Sequence, residues 1–121
     1  MPSFGTLKAD TLTHSTAGSL ATNYVVEGSA KAWVRYNGST PAINDSFNVT
    51  SLTDDGVGDH TFTFTNSMTD TNFAFSGHSS QYHTGNDNIA SSSTVNVFTA
   101  NSSHSKSDAV RSSCMIHGDL A

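Results

Sequence analysis

Residues 60–65 read HTFTFT. One apolar residue in every two is the period of a strand with one buried face. Phe62 and Phe64 would point inward, and Thr61, Thr63 and Thr65 outward. The same pattern recurs at 72–77, with Phe73 and Phe75, and at 46–52, with Phe47 and Val49 on one face. Residues 31–37 (KAWVRYN) form a further strand, ending at the Asn37–Gly38 turn signal. Pro41 falls in the loop after it. Residues 94–100 and 109–117 supply the last two strands, joined by a polar loop through 102–105, and 78–93 reads as a long polar loop. Upstream, 7–12 and 21–26 are weaker strands, separated by a break at 15–19; the second closes at Gly28–Ser29. No segment has a helical period, and helix formers are scarce: one Glu, three Lys and five Leu.

About six strands within 31–119 predict an all-β fold, a small antiparallel β-sandwich of jelly-roll-like type. Residues 29–121 form that domain. Residues 1–28 read as an extended N-terminal arm for attachment or trimerisation.

The stretch LTDDGVGDHTFTFT (52–65) packs Asp54, Asp55 and Asp59 around Gly56 and Gly58. A calcium loop would need six to eight oxygens, with carboxylates at alternating positions and an acid further on. Here Asp54 and Asp55 are adjacent, no Glu follows, and both flanks are strands. A repeated nonapeptide is also absent, since GVGD occurs once. A hairpin explains each residue: Asp and Gly supply the left-handed conformations that a tight connection demands.

Composition narrows the function classes. The chain has 121 residues, a net charge of −5 and five basic residues. That argues against sequence-blind nucleic-acid binding, which needs a clustered basic footprint, and against a basic membrane-surface patch. No run is long enough for membrane insertion, and the N-terminal residues lack the features of a signal peptide. Synthesis in a cytoplasm without conventional secretion is expected. Ser and Thr make up about 30% of the chain, whereas Leu, Ile, Val and Phe make up about 19%. So thin an apolar inventory favours completing the core with partner chains. The four N-x-S/T triplets, at Asn37, Asn44, Asn48 and Asn101, are what this composition produces by chance.

Candidate chemistry is sparse. Cys114 is the single cysteine, so no intrachain disulfide is possible; its alternating apolar setting makes it a small buried residue. His78 and His83 flank the long polar loop near Asp87, without a metal-ligand spacing; solvated histidines are expected. A histidine on an oligomer axis would be repeated in each copy. Paired carboxylates for hydrolysis would come from Asp54, Asp55, Asp59 and Asp70, all in turns. No G-x-S-x-G elbow exists. No catalytic, cofactor-binding or metal-binding residue is assigned, and no enzymatic activity is expected. Strand 31–37 places Lys31, Trp33 and Arg35 on one face and Ala32, Val34 and Tyr36 on the other. The first face is either a stacking platform for sugars or bases, or an amphipathic surface whose Trp packs at an interface. The second reading is preferred.

Taken in order, several of these motifs resemble a domain that recurs in tail-fibre and other appendage proteins of tailed bacteriophages, especially marine ones. Its members have AKAWV-x-[FY]-NG, then S-[FY]-NV-x-S-[IL]-TD, a G-x-GD turn and [MP]-x-[DT]-x-N-[FY]-A. These correspond here to residues 30–38, 46–54, 56–59 and 68–74. The lead-in TLKADTL (6–12) is similar to segments that precede the domain. The likeness covers about 50 of the 121 residues closely. Order and spacing carry it.

The resemblance implies a non-enzymatic virion structural protein, trimeric and β-rich, and it carries over no catalytic residue. Partners would be further copies of the chain, tail or major capsid proteins gripped by the arm, and a host surface glycan bound by loops 37–45 and 78–93. At this length, without a shaft or coiled coil, the chain suits a fibre tip, a small tail appendage or a capsid decoration (cement) protein. A metal-binding or hydrolytic protein is the remote alternative. Phe62, Phe64, Phe73, Phe75, Phe47 and Trp33 would be buried within and between protomers.

Overall fold

The computed structural model describes residues 8–86 and 91–121. It begins with a hairpin of β1 (Thr11–His14) and β2 (Gly18–Ala21), followed by a short helix, α1 (Thr22–Gly28). The strand expected at 21–26 is therefore a helix from Thr22 onward. Beyond Ala21, which faces Thr11, a continued strand would have run past the start of β1. Instead Thr22 turns the chain back: its N–H donates to the Asp10 carbonyl at 3.0 Å and its hydroxyl to the Ala9 carbonyl at 2.6 Å. The helix cost of Val25 and Val26 is only a few tenths of a kcal/mol each, so two such bonds override it. No residue of α1 is buried.

Eight further strands form two antiparallel four-stranded sheets. Sheet one runs in the order β4 (Ala42–Phe47), β3 (Ala32–Asn37), β10 (Ser112–His117), β7 (Ala74–Ser79). Sheet two runs β5 (Val49–Gly56), β6 (Asp59–Phe64), β9 (Thr94–Ala100), β8 (His83–Gly85). The domain is thus an all-β antiparallel sandwich, as its periodicity indicates. Its likeness to a jelly roll stops at eight strands in two sheets, because β3–β4 and β5–β6 are each neighbours within one sheet.

Alternation builds the core. On β3, Ala32, Val34 and Tyr36 are buried; on β6, His60, Phe62 and Phe64 are. Val95, Val97, Cys114 and Ile116 fill the layer from β9 and β10. Tyr36 meets Phe62 edge-on at 4.8 Å, and Phe64 meets Phe73 at 5.8 Å. Each fully buried large side chain contributes about 1.5–3 kcal/mol. Phe75 is half-buried against this cluster, whereas Trp33 and Phe47 lie outside it on the exposed surface.

The single strand expected at 46–52 is two strands in different sheets. They part at Asn48, whose φ of 55° ends β4 and starts β5. Asn48 pins this corner. Its Nδ2 donates to the Lys31 and Asn66 carbonyls, both at 3.0 Å, and its Oδ1 accepts from the Asn66 N–H at 2.7 Å. Phe47 and Val49 consequently do not share a face.

The 52–65 hairpin forms as read. Gly56 and Gly58 flank exposed Val57 with φ of 137° and 64°. At Gly58 a Cβ would sit 2.4 Å from the Thr99 carbonyl oxygen and 2.5 Å from the Ser107 nitrogen. Backbone closes on this position from a neighbouring strand and loop, so only glycine fits.

Candidate binding surface

The acidic residues of the hairpin are occupied locally. Asp54 Oδ1 accepts from the Gly56 N–H at 3.1 Å, and Asp55 Oδ2 accepts from the Thr61 hydroxyl at 2.6 Å. Asp59 forms an ion pair with Lys106 at 2.5 Å and accepts from Asn96 Nδ2 at 2.7 Å. Burial acts to raise the Asp59 carboxyl, but the hydrogen bonds from Lys106 and Asn96 and the Lys106 charge outweigh it. The net result holds Asp59 below the usual carboxylate range. Asp70 lies in a different turn, where the Asn72 backbone N–H and side-chain amide lower it. The four carboxylates are not gathered into one site. Among the described residues, no group of three His, Cys, Asp or Glu side chains could hold a metal ion.

The histidines also separate. His78 is exposed on β7 of sheet one, while His83 lies on β8 of sheet two. The latter stacks on His104 with ring centroids 4.5 Å apart. That contact depends on a left-handed His104 in the turn before Lys106, at φ 62°, and no local sequence signal announces it. Asp87 lies outside the described residues. Cys114 is buried, which pushes its thiol up to about 12. His60 continues the inward face of Phe62 and Phe64, so its burial was readable from the same alternation. It packs 5.3 Å from Tyr36, which faces Ser112 across the sheet. Burial pushes the Tyr36 hydroxyl up to about 12.

The segments assigned to receptor-binding loops are partly strand. Residues 37–45 include the end of β3 and most of β4, and 78–93 includes the end of β7 and all of β8. Tyr82 is the exposed aromatic there, at 77%.

Two surfaces remain open. The first is the outer face of sheet one, where Trp33 and Arg35 point outward as alternation requires. Phe47, Trp33 and Met115 are register neighbours across β4, β3 and β10, with exposures of 55, 36 and 49%. In the next row Asp45, Arg35, Ser113 and His78 follow one another from β4 to β7. A depression of about 460 Å³ is lined by Trp33, Met115, Arg35, His78 and Ser113 among others. It adjoins one of about 300 Å³ whose lining includes Arg35, Arg111, His78, Ser80 and Ser113. Both arginines of the chain therefore border the same depression. Among the described residues neither is in an ion pair. Asp45 stands opposite Arg35 in register; its Oδ1 accepts from the Ser46 N–H at 2.9 Å, and it forms no ion pair with Arg35.

The second surface is the arm. Leu12, Leu20, Tyr24, Val25 and Val26 are all exposed, and none of residues 8–30 is buried. A hollow lined by Leu12, Thr22, Val25 and Val26 lies between the hairpin and α1. The core cluster draws no residue from the arm.

No family model matches the chain, and comparison with curated proteins and with solved structures gave no match either.

Proposed function

We propose that this chain is a non-enzymatic virion structural protein, a trimeric surface appendage of the tail-fibre type found in tailed bacteriophages. The observation that carries the reading is the arm. Residues 8–30 fold into a hairpin and helix, yet five large apolar side chains there stay exposed and none is buried. A segment that orders its backbone without burying its own apolar groups gains that burial from another chain. Further copies of this chain are the first partner and a tail protein the second. The motif order from Ala30 to Ala74 supports the phage assignment.

Capsid decoration is the second reading, favoured by the same arm on so small a domain. Binding to purified particles tests both. Full-length chain should co-sediment with particles lacking it, and the chain without residues 1–28 should not. Labelling on the tail supports the appendage, whereas labelling over the shell supports decoration. Equal particle binding with and without the arm would refute the role given to residues 1–28.

A further inference from the structure

We propose that the two adjoining depressions on the outer face of sheet one form one trough for a carboxylated saccharide. The carboxylate would sit at the Arg35–Arg111 end, with a sugar ring against Trp33. This deepens the surface role proposed above and rests on it: the trough faces solvent when the arm, rather than this face, makes the assembly contacts.

Charge is the first ground. The protein carries a net −5 and has only two arginines, 76 positions apart in sequence. Folding brings both to one depression, together with His78. Among the described residues neither guanidinium has an ion-pair partner; the facing Asp45 accepts the Ser46 N–H on Oδ1 and forms no ion pair with Arg35. Guanidinium groups present planar forks that match a carboxylate in two-point fashion. Two of them, without an ion-pair partner among the described residues of an acidic protein, favour an anion.

Shape and lining then select the rest of the ligand. The second depression shares Arg35, His78 and Ser113 with the first and is walled by Trp33 and Met115. An indole face beside hydroxyl groups suits a ring with an apolar C–H side and polar edges. Ser80 and Ser113 are exposed and offer such hydroxyls. Nucleic acid is disfavoured by the overall negative charge. An acidic loop from a second copy is the competing occupant. Its best source is the 54–59 hairpin, where Asp54, Asp55 and Asp59 are already bonded within their own chain.

Trp33 is the only tryptophan, so its emission reports on this trough alone. Full-length protein is titrated with trigalacturonate, its methyl ester, neutral galactotriose, sodium sulfate and a peptide spanning residues 52–60. The expected result is a saturable change in Trp33 emission with trigalacturonate. The ester and the neutral sugar should bind at least about tenfold more weakly, the loss expected when a charge-assisted pair is removed. Arg35→Ala and Arg111→Ala should each weaken trigalacturonate by about tenfold or more. Both side chains are exposed, so the variants should keep the parent circular dichroism and sedimentation. The proposal is overturned if the ester binds as well as the acid, if both variants bind like the parent, or if no ligand moves the emission. It is also overturned if sulfate alone reproduces the full effect, or if the 52–60 peptide binds more tightly than the saccharide. An intact trimer that ignores trigalacturonate would refute the trough and leave the assembly reading standing. A monomer that binds it would do the reverse.

Discussion

Replacing Asn48 should open the corner between the two sheets. In Asn48→Ala the Nδ2 bonds to the Lys31 and Asn66 carbonyls and the Oδ1 bonds from the Asn66 N–H and side-chain amide are all lost. A net hydrogen bond is worth about 0.5–1.5 kcal/mol. Asn48 is only half-buried, so released groups partly regain water and the low end applies, about 1.5–2 kcal/mol for the four, the exposed 3.2 Å bond adding little. Alanine must also adopt the left-handed φ of 55°, which adds about 1 kcal/mol. The total is about 2.5–3 kcal/mol. Asn48→Gly loses the same bonds without the left-handed penalty, but gains unfolded-chain entropy, and should fall about 0.5 kcal/mol short of the alanine loss. Urea unfolding followed by Trp33 emission and circular dichroism, at one protein concentration, measures both. At the usual dependence on urea, the alanine variant should lose about 1–2 M in midpoint. A loss below about 0.5 kcal/mol would show that this side chain does not hold the corner.

Gly58→Ala should be more damaging than Gly56→Ala, because the added Cβ at 58 meets backbone of Thr99 and Ser107 while nothing lies within 4 Å at 56; equal thermal stability of the two would contradict this. Asp59 is held below the usual carboxylate range in the folded state, so its contribution is present above the unfolded value near 4 and fades as pH falls through the folded one. Stability measured from pH 6 to pH 2 should therefore decline less steeply in Asp59→Asn than in the parent, by up to about 1 kcal/mol for so accessible a pair. Cys114 should resist thiol reagents at pH 8 in the native protein and react fully in denaturant; fast native labelling would refute its burial.

How far each element could be read from sequence follows its place in the sheets. Central strands β3, β6, β9 and β10 bury one whole face, so apolar residues recur every second position. Edge strands bury less. β8 is His-Thr-Gly and β4 is Ala-Ile-Asn-Asp-Ser-Phe, and neither carries a clean alternation. The 46–52 segment misled because Asn48 reverses the face between two runs that look continuous. The helix over 22–28 was hidden because β-branched residues there are fixed by Thr22's bonds to Ala9 and Asp10. The outward pairing of Trp33 and Arg35 needed only the strand period. That His78 joins them needed the register of β10 and β7, and that Arg111 does needed the course of the chain into β10, neither of which a local pattern contains.

The central claim is assembly through the arm, and sedimentation equilibrium of the purified chain tests it most directly. At micromolar concentration the full-length protein should have about three times the 12.7 kDa chain mass, and the chain lacking residues 1–28 should be a folded monomer. A folded full-length monomer would contradict the account, as would a trimer that survives removal of the arm.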